Sequence, residues 1–211
     1  MNEPTDADRL REEMVAHQIE ARGVRAPLVL AAMRKVRREN YVPAHLREFA
    51  FRDAALPIEE EQTISQPYIV ALMVAALELD GGEKVLEVGT GSGYAAAVLA
   101  EIAGSVYTVE RRAPLAELAA ERLRRDGCRN VCVRHGDGTL GWPEHAPFAA
   151  IAVAAGATKV PAPLQQQLAV GGRLVIPVGE PGHQQLVRIR RRAGDDFHCE
   201  RLTSVRFVPL V

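Results

Sequence analysis

The sequence has few residues of the kinds that crosslink a chain or bind metal. Its three cysteines, Cys128, Cys132 and Cys199, form no C-x-x-C pair, which argues against a disulfide framework and indicates a reducing compartment. The six histidines show no close ligand spacing, so no metal site is predicted. These shortages favour a cytoplasmic protein that is built without disulfides or structural metal.

Long apolar runs and a strong net charge are also missing. No run approaches the roughly 20 residues of a membrane-spanning helix. The polar N-terminal stretch MNEPTDADRLREEM has no apolar core of the kind that a signal peptide needs. A formal net charge of -1 leaves no electrostatic footprint for nucleic acid or an anionic membrane. We therefore expect a protein that binds neither.

The chain does contain enough apolar sequence for one α/β domain. It has 211 residues, of which 47% are hydrophobic and 25% charged, an ordinary composition for a globular protein. Helices are predicted over 8–22, ending at Gly23, and over 27–36, with Pro27 in the first turn. The irregular connection that follows, up to residue 64, is of a length that is usually functional or poorly ordered.

Strands and helices alternate regularly after Pro67. Short apolar strands are predicted at 84–89, 105–110, 131–137, 148–156 and 173–179. The intervening helices are predicted at 68–79, 92–103, 114–127 and 160–172. Residues 185–192 and 200–211 predict an antiparallel pair of C-terminal strands. This order is typical of a doubly wound, mostly parallel sheet with right-handed crossovers, a Rossmann-like α/β fold.

A glycine-rich loop follows the first of these strands and opens a helix. Gly89, Gly91 and Gly93 have G-x-G-x-G spacing, not the G-x-G-x-x-G of dinucleotide sites, so pyrophosphate binding is disfavoured. Glu110, at the end of the second strand, is placed to accept hydrogen bonds from two ribose hydroxyls. Asp137, at the end of the third, could accept one from an adenine amino group. A nucleoside without pyrophosphate points to S-adenosylmethionine.

Several stretches together resemble one family. They are QTISQPYIVALM (62–73), VLEVGTGSGY (85–94), RHGDGTLGWPEHAPF (134–148), GGRLVIPVG (171–179) and VRFVPL (205–210), with AHQIEARGV and VLAAMRKV near the N-terminus. In combination, and over nearly the whole chain, these motifs are similar to those of the protein-L-isoaspartate O-methyltransferases. The glycine loop alone would indicate only a class I methyltransferase.

The resemblance implies a repair enzyme. Such enzymes transfer methyl from S-adenosylmethionine to the α-carboxylate of L-isoaspartyl residues in aged proteins, releasing S-adenosylhomocysteine. The ester then cyclises to a succinimide that opens partly to normal aspartate. The resemblance also implies that Ser65 is catalytic. The cofactor-binding residues it implies are Gln62, Thr63, Ile64, Ser65, Glu87, Gly89, Gly91, Gly93, Glu110, Arg111, Asp137 and Gly138.

The resemblance also sets expectations about organisation and partners. It implies one methyltransferase domain over 1–211, made of N-terminal helices and a lid (1–64), a cofactor-binding core (65–180) and C-terminal strands (181–211). The expected partners are isoaspartyl proteins or peptides, and we expect a monomer.

Carboxyl methylation needs neither a general base nor a metal, so it is compatible with a sequence that predicts no metal site. An α-carboxylate is ionised at neutral pH, since it titrates near roughly 3.5, so no general base is required. Catalysis would come from alignment and from shielding against water. Ser65 would then orient the substrate carboxylate or order the loop, not act as a covalent nucleophile. No G-x-S-x-G surrounds it, which argues against a hydrolase. Because Pro67 favours Gln66 as the helix N-cap, Ser65 is predicted to lie just outside the helix. The alternative is that Ser65 is itself the cap.

Three consecutive glutamates, 59–61, depart from the family pattern, in which positions 59 and 61 are commonly glycine. If position 61 needs a positive φ, a glutamate there costs on the order of 1–2 kcal/mol. We interpret the triplet as a solvated rim, because inward-facing carboxylates would repel an anionic acceptor. The alternative is that the triplet belongs to the site.

The sequence alone leaves other functions to consider. A methyltransferase of the same fold could act on another peptide or small-molecule carboxylate, which the altered loop at 59–61 would explain. A non-catalytic protein that binds the cofactor is a second alternative. A hydride-transferring oxidoreductase is disfavoured by the position of the third glycine.

Overall fold

The computed structural model describes residues 5–210. Its α-helices are α1 Asp6–Glu13, α2 Pro27–Lys35, α3 Pro67–Ala76, α4 Tyr94–Ala100, α5 Ala113–Arg125 and α6 Ala162–Gln166. Its strands are β1 Leu56–Pro57, β2 Thr63–Ile64, β3 Lys84–Val88, β4 Ser105–Glu110, β5 Val131–His135, β6 Phe148–Val153, β7 Leu168–Glu180, β8 His183–Arg191 and β9 Phe197–Val205. Short 3₁₀ segments include Arg38–Asn40, Ala44–Phe49 and Gly138–Leu140.

The central sheet has seven strands in the order β5-β4-β3-β6-β7-β8-β9. Strands β3 to β7 pair in parallel, and β8 and β9 join as antiparallel neighbours. The predicted fold class and the antiparallel C-terminal pair are therefore confirmed. Strands β4 and β5 lie on one side of β3, and strands β6 to β9 lie on the other. Ligands of such sheets bind at this switch point, beyond the carboxyl ends of the strands.

The sheet is covered on both faces. Alternate residues of β3 point to opposite sides, so Val85 packs into one buried cluster and Leu86 into the other. The first cluster includes the buried faces of α2, α3 and α4, and the second is formed largely by β6, β7 and α6. A strand buried on both faces needs an apolar run, which explains the strand predictions for residues 84–110.

The N-terminal helices follow the predicted positions with one change of type. Residues 6–13 are α-helical, Met14–Ile19 form a π-helix and Glu20–Arg22 a 3₁₀ turn. Gly23 ends the run with φ 96°, as predicted. Helix α2 has Pro27 in its first turn, also as predicted. None of the helices in residues 5–210 is long and apolar enough to cross a membrane.

Two element predictions are wrong. The helix expected over 160–172 ends at Gln166, and strand β7 starts at Leu168, whose side chain is fully buried and pairs with Phe148. Gly171 and Gly172 lie where the β6–β7 register shifts, so they form an irregularity within the strand instead of a helix cap. The last strand, expected over 200–211, spans Phe197–Val205, and residue 211 lies outside the described residues.

Candidate active site

A cavity of about 380 Å³ lies beyond the carboxyl ends of β3, β4 and β6. Its volume falls in the range of roughly 300–1,000 Å³ that is usual for small-molecule sites. Residues 61–65, 88–92, 109–112, 154–155 and 208–210 line it, together with Val70, Tyr94, Ala95 and Gly138. Of the predicted cofactor residues, Gln62 to Ser65, Gly89, Gly91, Glu110, Arg111 and Gly138 therefore lie in this wall.

The glycine loop forms the floor of the cavity. Gly89, Gly91 and Gly93 have φ values of 91°, 54° and 91°, in the left-handed region that other residues rarely enter. The Gly89 N–H donates to the Val109 carbonyl at 2.8 Å, which holds the loop against β4. The predicted need for glycine in a tight turn is thus confirmed.

The Glu110 carboxylate is held at the cavity wall by the backbone. Its Oε2 accepts from the Gly91 N–H at 2.8 Å, and its Oε1 accepts from the Arg112 N–H at 3.1 Å. Glu110 is buried yet lines the cavity, so its remaining acceptor capacity faces the space where a ligand would lie.

Asp137 and Gly138 play different parts at the end of β5. Asp137 Oδ1 accepts from the Thr139 N–H at 2.9 Å and its hydroxyl at 2.7 Å, which lowers the pKa of Asp137 below its ordinary value. Asp137 is not among the lining residues, whereas Gly138 is. A Cβ at Gly138 would overlap the Val88 side chain, so only glycine lets the chain pass this close to β3.

Two predicted cofactor residues lie behind the loop instead of in the cavity wall. Glu87 is fully buried, and Thr108 donates to its Oε2 at 2.6 Å, while Oε1 has no partner among the described residues. Burial raises the pKa of Glu87 to about 8, with the charge of Glu110 adding to the shift. Gly93 is the N-cap of α4 and packs against Leu123 of α5.

Ser65 lies where the first cavity meets a second one of about 550 Å³. Thr63, Ser65, Ala154 and Val208 line both. Gln66 is the N-cap of α3, Pro67 is its first residue, and no side chain caps the helix. The predicted position of Ser65 just outside the helix is therefore confirmed, and the alternative that it serves as the cap is wrong.

Comparison with known proteins decides the family. The family described as protein-L-isoaspartate(D-aspartate) O-methyltransferase matches residues 9–211. The chain belongs to this family.

Individual isoaspartyl methyltransferases agree with this assignment. "Protein-L-isoaspartate O-methyltransferase 1" of Rhodopseudomonas palustris is 60% identical over 202 residues, 95% of this chain and 82% of that protein. A solved protein-L-isoaspartate O-methyltransferase superposes with a TM-score of 0.84 at 28% identity, over 94% of this chain and 65% of that one. A putative Plasmodium falciparum enzyme, solved in complex with S-adenosyl-L-homocysteine, gives 0.83 at 27% identity over 95% and 98%.

Within this isoaspartyl methyltransferase fold, Arg38 is a residue of the site region that the sequence analysis missed. It is fully buried, and its guanidinium donates to the carbonyls of Ala50 (2.7 Å), Ser65 (2.9 Å) and Ala54 (3.4 Å). Burial lowers the pKa of Arg38 to about 10, so it stays protonated at neutral pH. Arg38 follows Arg37 in an irregular stretch, and nothing in the sequence distinguishes the buried arginine from its exposed neighbour.

The glutamate triplet divides between rim and structural pairing. Glu60 and Glu61 are exposed and have φ values of 57° and 56°, which confirms the positive φ considered for position 61. Glu59 instead pairs with Arg122 of α5 at 2.7 Å, and that arginine side chain is only 7% exposed. Glu60 lies 3.6 Å from Arg112. The solvated-rim interpretation is therefore wrong for Glu59.

Metal ligands do not converge within residues 5–210. No three histidine, cysteine, aspartate or glutamate side chains in that range lie close enough to hold an ion. Cys128 is half-buried, and Cys132 and Cys199 are exposed and free. The expectation of a metal-free site stays a prediction.

Proposed function

We propose that this chain transfers methyl from S-adenosylmethionine to the α-carboxylate of L-isoaspartyl residues in damaged proteins, as a repair enzyme. The observation that carries the proposal is the position of Ser65 at the junction of the two cavities. A cofactor in the first cavity and a peptide in the second would meet at this residue. Family membership supports the proposal, and the S-adenosyl-L-homocysteine complex of the Plasmodium falciparum homologue supports the choice of cofactor.

The first cavity fits the cofactor. S-adenosylmethionine supplies an electrophilic methyl group when it is bound. We assign Glu110 to the ribose hydroxyls, because its carboxylate is fixed by two backbone N–H groups and faces the cavity. Asp137 does not line the cavity but precedes Gly138, which does. We assign its Oδ2 to the adenine amino group at this edge of the cavity, since Oδ1 already accepts both bonds from Thr139. Gln62 to Ser65 would cover the cofactor, and Glu87 and Gly93 would act indirectly by supporting the glycine loop.

The second cavity suits an anionic acceptor. Its only ionisable lining side chains among the described residues are His183 and Arg206, and neither aspartate nor glutamate lines it. An acceptor carboxylate would therefore meet no like charge there. Because that carboxylate is ionised at neutral pH, the protein has to orient it and exclude water instead of removing a proton. We assign the orienting role to the Ser65 hydroxyl.

Paired peptides test the proposal. The protein should methylate an isoaspartyl peptide and leave its aspartyl twin unlabelled. Ser65→Ala should lower kcat/KM about tenfold, the effect of one lost positioning hydrogen bond. Ser105→Ala, at the far end of β4, is the matched control and should behave like wild type. Calorimetry with S-adenosylhomocysteine should give the wild-type affinity for Ser105→Ala. For Ser65→Ala it should give a loss of affinity smaller than the loss of kcat/KM, because Ser65 also lines the cofactor cavity. Equal labelling of the two peptides would refute the proposal.

We also propose that residues 1–211 act as one domain and as a monomer that binds neither nucleic acid nor membranes. The two buried clusters share one sheet, which supports a single folding unit. Light scattering at assay concentrations tests the monomer, and a stable dimer would contradict it.

A further inference from the structure

The last described residues cross the candidate active site as a strap. After β9 ends at Val205, residues 206–210, here called the C-terminal strap, leave the sheet edge and run to the end of β6. The Val208 carbonyl accepts from the Gly156 N–H at 2.8 Å, and the Leu210 N–H donates to the Gly156 carbonyl at 2.8 Å. The strap lines both cavities, the first with residues 208–210 and the second with residues 206–208.

One side chain holds the first half of the strap. Gln184 of β8 is 2% exposed, and its Oε1 accepts from the Phe207 N–H at 2.7 Å while its Nε2 donates to the Phe207 carbonyl at 3.3 Å. The backbone of Gln184 pairs with Val205, the last residue of β9. The side-chain amide thus replaces a strand partner for the chain beyond that point. A Cβ at Gly156 would overlap this amide, so the Gln184 side chain packs directly against the Gly156 backbone.

We propose that Gln184 is a positioning residue for methyl transfer, whose side-chain amide fixes the C-terminal strap and thereby sets the affinity for the isoaspartyl acceptor. The inference rests on the proposed function. Affinity for the acceptor should change more than affinity for the cofactor. Gln184 holds Phe207, and residues 206–208 line the second cavity. Residues 208–210, on the cofactor side, have their own hydrogen bonds to Gly156.

Gln184→Glu provides a pH-dependent test of this role. A protonated glutamate can donate to the Phe207 carbonyl and accept from its N–H, as the amide does. An ionised glutamate cannot donate, and it places a negative charge beside that carbonyl. The ratio of variant to wild-type KM for an isoaspartyl peptide should be near one at low pH and rise about tenfold as the new carboxyl ionises. Because the Gln184 side chain lines the second cavity beside His183 and Arg206, an ionised carboxylate at this position would also repel the anionic acceptor directly. Gln184→Met, which removes both hydrogen bonds without adding a charge, separates the two effects and should raise KM at every pH.

Gln167 offers a matched control. It is also a buried glutamine whose amide spans two backbone groups, accepting from the Trp142 N–H at 2.7 Å and donating to the Leu140 carbonyl at 2.8 Å. It does not line either cavity. Gln167→Glu should therefore lower the Tm in the same pH-dependent way but leave the peptide KM at the wild-type value.

Each outcome decides the inference. A KM ratio near one for Gln184→Glu at every pH, with an active wild type, overturns it and leaves the proposed function standing. The same KM change in Gln167→Glu overturns it too, because KM would then follow general stability. Gln184→Met, which loses both bonds and adds no charge, should raise KM at all pH values. An unchanged KM in Gln184→Met overturns the inference even if KM rises in Gln184→Glu. If the wild type does not methylate isoaspartyl peptides, the proposed function itself is wrong.

Discussion

At the scale of single residues, the glutamate triplet illustrates how equal side chains can have opposite effects on stability. Glu60 and Glu61 occupy the left-handed region at the tip of the β1–β2 hairpin, where the Gln62 N–H donates to the Glu59 carbonyl at 3.2 Å. A non-glycine residue in this region costs on the order of 1–2 kcal/mol. Glu59 has no such φ and forms the ion pair with Arg122.

Glu61→Gly should therefore raise the free energy of unfolding by about 1 kcal/mol, since the relieved strain exceeds the added chain entropy of glycine. Isoaspartyl methylation should be preserved or increased. Glu59→Gly, the matched change two positions earlier, should lower stability because it leaves the buried Arg122 without its partner. Urea denaturation of both variants measures these effects. A large loss of methylation in Glu61→Gly would show that its carboxylate belongs to the site.

At the scale of elements, the strands were predictable wherever apolar runs and turn residues agreed. Strand β4 was predicted with the bounds it has, and α3, α4 and α5 were placed correctly to within a few residues. The boundary between α6 and β7 was not predictable, because Leu168 fits a helical face as well as a strand, and only its pairing with Phe148 decides between them. The irregular stretch from 37 to 64 has no periodicity, so its organisation around Arg38 could not be read from it.

Arg38→Lys tests how far one buried cation organises that stretch. A lysine ammonium lacks the planar fork that spans the carbonyls of Ala50, Ala54 and Ser65, so at least one carbonyl loses its donor. We expect the free energy of unfolding to fall by roughly 2–3 kcal/mol. Methylation should also fall, because the Ser65 backbone is no longer fixed. Arg37→Lys, an exposed neighbour, is the control. Equal stability of the two variants in urea would contradict the prediction.

At the scale of the whole molecule, the candidate active site combines three distant parts of the chain. The β1–β2 hairpin, the glycine loop and the C-terminal strap all line the first cavity. Sequence reasoning could place the glycine loop, Glu110 and Asp137 together, because carboxyl ends of parallel strands meet at one edge. The strap belonged to the VRFVPL motif, but its route depends on the Gln184 amide and Gly156, which act across the sheet and leave no local pattern.

If these three parts enclose one ligand, they should become protected together. Binding S-adenosylhomocysteine should slow amide hydrogen exchange in residues 59–65, 89–93 and 208–210, because local opening of each would require loss of the ligand. The Leu210 N–H, which donates to the Gly156 carbonyl, and the Gly91 N–H, which donates to Glu110, are the most informative amides. Residues 197–201 on the edge strand β9 serve as the internal control and should exchange at the same rate with and without ligand. Protection confined to 89–93 would mean that neither the hairpin nor the strap closes over the cofactor, and the enclosed site proposed around Ser65 would then be wrong.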